Sequence, residues 1–189
     1  MHELWPDAVV VYPQGLSTPG ITDPDGKLPG WQQRPEDQSG RDLKFFDLLL
    51  ERVKKDYKID ISRVYAMGHS NGGRFTYLLW LMRPDVFAAF APSASPALGL
   101  VVRMKPKPAF VLAGEKDQIV SYRSQELSIQ AIKRMLNCPS EPASKQGHLS
   151  LFKGKNGVEL ATYVTPGDHK YAREANPLIV EFFKRQTKA

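Results

Sequence analysis

The sequence predicts an α/β fold, a mostly parallel sheet flanked by helices, on three observations. Short apolar runs alternate along the chain with segments whose apolar residues recur at helical spacing. Val64 to Met67, Phe87 to Ala91 and Ala109 to Ala113 carry almost no polar residue, as strands covered on both faces require. Polar clusters at Gly68-His69-Ser70, Gly114-Glu115-Lys116-Asp117 and Thr165-Pro166-Gly167-Asp168-His169 each follow a strand directly, at the end where parallel sheets gather ligands.

Taken in order, Ala8-Val9-Val10-Val11-Tyr12 reads as a buried strand that stops at Pro13-Gln14-Gly15. Leu16 to Gly40, rich in Pro, Gly, Asp and Gln, reads as a long ordered loop over one end of the sheet. From Gly40 the pattern is helical, with Leu43, Phe46, Leu49, Leu50 and Val53 on one face and Lys44, Asp47, Glu51 and Lys54 on the other. Val64 to Met67 runs through a tight turn into a helix marked by Phe75, Leu78, Leu79 and Met82, which Arg83-Pro84-Asp85 ends. Phe87 to Ala91 leads into the small-residue loop Pro92 to Pro96, and Pro106-Lys107-Pro108 introduces the Ala109 strand. Ser124 to Leu136 is helical, with Leu127, Ile129, Ile132 and Leu136 expected inward. Leu149 to Phe152 and Val158 to Val164 pair around Gly154-Lys155-Asn156-Gly157, and Pro177 to Lys184 forms a closing helix. With no repeat or low-complexity tract, residues 1–189 read as one domain.

Composition narrows the function classes. The chain is 42% hydrophobic and 24% charged, ordinary for a globular protein. The net charge of +6 is spread over scattered Lys and Arg without interleaved aromatics, which argues against a nucleic-acid surface. No apolar run approaches the ~20 residues of a membrane span, and Met1 to Asp7 has neither the basic nor the apolar region of a signal peptide. The single cysteine, Cys138, excludes an internal disulfide and has no activating base in its Asn-Cys-Pro setting.

The chemistry centres on Gly68-His69-Ser70-Asn71-Gly72, a G-x-S-x-G at a strand-to-helix turn. Such a turn holds the serine in a strained conformation that lifts its hydroxyl above the sheet, and Gly68 and Gly72 are expected to clear the space a Cβ would block. Gly73 is expected to let helix and strand approach closely. The helix N-terminus offers unpaired N–H groups, and that of Asn71 points at an oxyanion formed by Ser70 attack. A hydroxyl needs a base to take its proton, a role assigned to His169, with Asp117 orienting the imidazole. The chain order Ser, Asp, His is that of the α/β hydrolases. Rivals are weaker: Asp168 is adjacent to His169 and folds back poorly onto the same ring, Asp85 reads as a cap or surface charge, and His148 as structural. His2 is a further rival for the histidine role. His69 precedes the serine and points away from its proton path, which leaves it a candidate for substrate contact. Trp31, alone in its loop, either covers core or lines a pocket.

Gly68-His69-Ser70-Asn71-Gly72-Gly73, Ala91-Pro92-Ser93-Ala94, Ala113-Gly114-Glu115-Lys116-Asp117 and Pro166-Gly167-Asp168-His169 resemble the polyhydroxybutyrate depolymerase and feruloyl esterase-like branch of the α/β hydrolases. Val9-Val10-Val11-Tyr12-Pro13-Gln14-Gly15, with Trp31 and Asp42 downstream, resembles it too, so the likeness covers nearly the whole chain. The resemblance implies an α/β-hydrolase fold, a Ser70-Asp117-His169 triad, and hydrolysis of small-molecule or polymeric carboxylic esters (feruloyl, acetyl or polyester) without metal or cofactor. Such proteins are often secreted.

One departure stands out. The family carries further strands and a His-Gly loop ahead of the stretch that Val9 to Tyr12 resembles, and here eight residues precede Val9, so the sequence is expected to be N-terminally truncated. One absent strand belongs between those at Val9 and Val64. Either the Val9 strand moves beside Val64, another chain fills the gap as a homo-oligomer, or the sequence is a truncated one. In the first case Pro13-Gln14-Gly15 reaches the oxyanion position and Gln14 or Gly15 supplies the second donor. Two function classes follow: a serine esterase with Trp31 and the loop after Ala91 as pocket walls, and a non-catalytic α/β-hydrolase-like binding protein. A peptidase of related fold is a third, with nothing marking an amide substrate.

Overall fold

The computed structural model describes residues 1–20 and 22–188. Two short strands, β1 (Leu16–Ser17) and β2 (Pro29–Gly30), pair antiparallel ahead of helix α1 (Arg41–Asp56). The chain continues through β3 (Tyr65–His69), α2 (Asn71–Met82), β4 (Ala89–Ser93) and β5 (Ala109–Gly114). Then come α3 (Tyr122–Met135), β6 (Ser144–Gln146), β7 (Leu149–Lys153), β8 (Glu159–Thr165) and α4 (Asn176–Lys184).

The main sheet has the order β3-β4-β5-β8-β7-β6, with β3, β4, β5 and β8 parallel and β7 and β6 antiparallel. Side-chain alternation along β5 shows why it is apolar throughout. Ala109, Val111 and Ala113 enter a core shared with α1, α2 and α3, whereas Phe110 and Leu112 enter a second core with Ile179, Phe182 and Phe183 of α4. Trp80 of α2 anchors the first core. Its ring stacks on Phe90 at 5.1 Å, and its indole N–H donates to the Lys105 carbonyl at 2.8 Å, so its one polar atom is satisfied on burial.

Four expectations change. Ala8 to Tyr12 forms no strand; Val9 and Val11 are each 44% exposed and Tyr12 66%. The β-branched run has strand propensity, but a strand also needs a ladder partner, and this run pairs with none among the described residues. It does not lie in the sheet beside β3, which is an edge strand of half-buried residues. Met1 to Trp5 is a turn closed by Trp5 N–H to Met1 O at 3.0 Å, with the Trp5 ring 5.9 Å from that of Tyr65. Leu127 is exposed, because the inward face of α3 is Gln125, Ser128, Ile129 and Ile132. β4 begins two residues later than expected, since Phe87 turns under Phe46, ring to ring at 5.2 Å. β6, made of exposed Ser144, Lys145 and Gln146, carries no apolar alternation that would reveal it.

Candidate active site

The turn after β3 is strained as the motif requires. Ser70 has φ 54° and ψ −117°, a sparsely populated conformation costing roughly 1–3 kcal/mol. Neighbouring backbone holds it there: Ser70 N–H donates to Ser93 O of β4 at 2.9 Å, and Ser70 O accepts from Arg74 N–H at 2.9 Å. Gly68 and Gly73 are needed for clearance. A Cβ on Gly68 would overlap the Gly72 carbonyl and lie 2.9 Å from Thr76 Oγ1, and one on Gly73 would lie 2.5 Å from Ser93 O. Gly72 differs from expectation, because a Cβ there would meet nothing within 4 Å. Its side of the helix faces open space.

Three loops from the carboxyl ends of β3, β5 and β8 bring Ser70, Asp117 and His169 into one line. Ser70 Oγ donates to His169 Nε2 at 2.8 Å, and His169 Nδ1–H donates to Asp117 Oδ2 at 2.7 Å. They are 99 and 52 residues apart in the chain. Asp117 is buried, and burial pushes its carboxyl upward; hydrogen bonds from His169, Val120 and Ile119 outweigh this and hold it below the usual carboxylate range. The ionised carboxylate favours the tautomer with the Nδ1 proton, leaving the Nε2 lone pair for the Ser70 proton. The rivals lie elsewhere. Asp168 binds the Lys170 backbone N–H at 2.9 Å, Asp85 pairs with Lys105 at 2.9 Å, His148 packs on Tyr163 at 5.8 Å, and His2 meets Tyr12 Oη at 3.1 Å.

Ser70 opens on a cavity of about 310 Å³. Its floor is His69 to Gly72, one wall is Pro13 to Gly15, and the other is Pro29 to Trp31. The Asn71 N–H, in the first turn of α2, has no partner four residues back, and Asn71 lines this space beside Ser70. Gln14 reaches the cavity although the Val9 run pairs with no strand among the described residues, and its side-chain amide donates to Gly15 O at 3.2 Å. Trp31 combines the two readings of it, lining the cavity while stacking on Phe75 at 5.1 Å and on Phe45 at 6.3 Å. His69 also lines the cavity, with its Nδ1 and Ser93 Oγ sharing a hydrogen bond at 3.0 Å and its ring 5.1 Å from that of His169. Burial, then the neighbouring His169, pushes the His69 imidazole below its ordinary pKa. The loop after Ala91 does not line the cavity on which Ser70 opens: Pro92 to Ser95 are buried, with the Pro96 carbonyl bound by Arg74, and Ser93 and Ala94 border only a small cleft beside Gly114 and Asp168.

Sequence reasoning missed the side chains that hold these walls. Asn71 Oδ1 accepts from Trp31 N–H at 2.7 Å and its Nδ2 donates to Trp31 O at 3.1 Å, clamping the loop to α2. Gln32, fully buried, accepts from the Asp42 and Leu43 N–H groups at the start of α1, while Asp42 Oδ2 accepts from Gln32 N–H at 2.6 Å. Gln125 of α3 donates to Asp117 Oδ2 at 2.9 Å. The available signal was a polar residue on the stripe of α3 that also carries Ile129 and Ile132. Among the described residues no group of three or more His, Cys, Asp and Glu converges as a metal site, and no helix is long and apolar enough to cross a membrane.

Comparison with known proteins extends these observations. The model of the prolyl oligopeptidase family matches residues 39–100, from the start of α1 past Ser70. The bifunctional acetylxylan esterase/xylanase XynS20E of Neocallimastix patriciarum is 30% identical over 141 residues, which is 74% of this chain and 19% of the relative. The chain thus spans about a fifth of the length of that curated relative. Among solved structures, Arabidopsis thaliana SOBER1 aligns with a TM-score of 0.65 at 16% identity, covering 93% of this chain and 82% of its own. A thermostable esterase aligns with a TM-score of 0.60, also at 16% identity, over 85% of this chain and 42% of its own. The chain has the α/β-hydrolase fold, its mostly parallel sheet flanked by helices.

Proposed function

We propose that this α/β-hydrolase chain is a serine esterase that cleaves carboxylic esters through an acyl-enzyme on Ser70. The observation that carries the reading is the unbroken line from Ser70 Oγ through the His169 imidazole to the buried Asp117 carboxylate, at 2.8 and 2.7 Å. In the proposed reaction His169 Nε2 takes the Ser70 proton as Oγ attacks the ester carbonyl. The oxyanion develops against the Asn71 N–H at the start of α2, with a donor from the Gln14-Gly15 turn across the cavity. Collapse expels the alcohol, which takes its proton from His169. Water, activated by the same imidazole, then releases the acid, and Asp117 stabilises the imidazolium in both steps.

Two likenesses favour esters over amides: the motif resemblance to the polyhydroxybutyrate depolymerase and feruloyl esterase-like branch, and the acetylxylan esterase in the name of the curated relative. Acetyl or feruloyl esters are therefore the first substrates to assay, with polyester next. The alternative, a non-catalytic binding protein of the same fold, is favoured by one observation. The Gln14 amide turns to Gly15 O, leaving Asn71 N–H as the donor the elbow itself supplies.

Labelling the chain with a fluorophosphonate probe, locating the adduct by mass spectrometry, and measuring p-nitrophenyl acetate turnover test both readings. The esterase predicts an adduct on Ser70 that His169→Ala removes, and a rate loss on the order of 10⁶ in Ser70→Ala with the fold retained. Turnover unchanged in Ser70→Ala would sink it, and a folded chain that neither labels nor turns over selects the binding protein.

A further inference from the structure

We propose that Gln125 is a positioning residue that fixes the Asp117 carboxylate on the His169 imidazole, a role that rests on the esterase reading of this site. Asp117 accepts four hydrogen bonds. Its Oδ1 takes the N–H groups of Ile119 and Val120 at 2.9 and 2.8 Å, and its Oδ2 takes His169 Nδ1–H at 2.7 Å and Gln125 Nε2–H at 2.9 Å. The first pair comes from the same turn as Asp117 and moves with it. Of the Oδ2 donors, His169 is the group to be oriented, so Gln125 alone ties that oxygen to an independent, rigid element.

The second proton of the Gln125 amide goes to Val120 O at 2.7 Å, so one NH₂ group binds both the carboxylate and the backbone of the turn that carries it. Gln125 is 2% exposed, and its Oε1 is buried without a hydrogen-bond partner among the described residues. That orphan oxygen reveals what sets the orientation. Rotating the amide by half a turn would face Oε1 at Oδ2 and at Val120 O, oxygen against oxygen, so the two acceptors dictate the pose and Oε1 goes unpaired. A glutamine serving only to fill space would leave its burden to leucine, which packs the same stripe without an unpaired polar atom.

In functional terms α3 becomes the anchor of the acid. An Asp117 held only by its own turn drifts relative to His169, and a misplacement near 1 Å costs about 10² in rate. His69 and His169 are the other titratable rings close to Asp117, and both belong to the β3 and β8 side of the site.

The test uses the intact chain and its Gln125→Leu and Gln125→Glu variants, with two readouts. The first is the tautomer of His169 by ¹⁵N NMR, which any folded chain yields whether or not it turns over ester. The second is kcat and KM for p-nitrophenyl acetate across pH. In Gln125→Leu, kcat falls about 10- to 100-fold with KM within twofold, and the Nε2–H tautomer joins the Nδ1–H form. In Gln125→Glu the protonated carboxyl still donates to Oδ2. Ionisation then sets two carboxylates against each other, so the rate gains a falling alkaline limb and the tautomer mixture appears only on that limb.

A His169 tautomer unchanged in Gln125→Leu, or kcat within twofold of wild type, overturns the proposal. Should Gln125→Leu fail to fold, the isosteric Gln125→Glu decides, and a pH course identical to wild type in both readouts overturns it. If the wild-type chain hydrolyses nothing, the esterase reading falls, and the tautomer still decides whether Gln125 positions Asp117.

Discussion

Alanine at Gly68 or Gly73 is expected to disable the site, whereas alanine at Gly72, inside the same motif, is expected to be tolerated. A Cβ on Gly68 overlaps the Gly72 carbonyl, and one on Gly73 stands 2.5 Å from Ser93 O and 2.9 Å from Ser95 Cβ. The obstructing carbonyls belong to the first turn of α2 and to β4, which Ser70 N–H binds at 2.9 Å, so relief requires whole elements to shift rather than one side chain to rotate. Overpacking of this kind costs ~1–3 kcal/mol. Any shift of Ser70 toward 1 Å from His169 adds a rate loss of about 10². At Gly72 the new methyl meets open space, and alanine is the better helix former by up to about 1 kcal/mol. Urea denaturation followed by tryptophan fluorescence resolves these differences. With a slope of ~1–3 kcal/mol per molar, a loss of 2 kcal/mol lowers the midpoint by about 1 M. Ester hydrolysis on the same samples supplies the rates. Equal damage at Gly72 and Gly68, or none at Gly68 and Gly73, would refute the steric account of the motif.

Two further outcomes follow from the site. Asn71→Ala deletes both hydrogen bonds to Trp31, at roughly 0.5–1.5 kcal/mol each. The wall at Pro29 to Trp31 loosens while the backbone N–H of residue 71 remains, so KM should rise more than kcat falls, and steady-state kinetics showing the reverse would count against the clamp. Asp117 titrates below its unfolded value of about 3.9, so its ionised form adds stability above about pH 4 that fades as pH falls through the lower folded pKa. Asp117→Asn should therefore lose stability relative to wild type at neutral pH and converge with it as pH falls through the lowered folded pKa. A difference between the two that is constant from pH 2 to 7 in denaturation experiments would contradict this.

Local chemistry made much of the fold legible. The strand at β5 is apolar at every position because both faces are covered, and α1 shows an inward stripe of buried Leu43 and half-buried Phe46, Leu49, Leu50 and Val53 because its other face meets solvent. Both patterns survive in any context that buries those faces. Val9 to Tyr12 shows the limit of such reasoning. Its β-branched residues favour extended backbone, yet pairing depends on what lies alongside, and nothing in the run itself specifies a partner.

The candidate site divides in the same way. Ser70, Asp117 and His169 were identifiable because each sits just past a strand of one parallel sheet, and the sheet order then carries residues 52 and 99 positions apart to within hydrogen-bond distance. The supports were not identifiable as such. Gln125, Gln32 and the Asn71 side chain act on groups 8, 10 and 40 residues away, through bonds that exist only once helices and loops have packed. By itself, then, the sequence determined the alternation of elements and the strained serine turn, which depend on neighbours along the chain. The tertiary structure alone decided which polar side chains hold that turn's partners in place, because hydrogen-bond geometry between distant segments is set by packing and leaves no periodic trace.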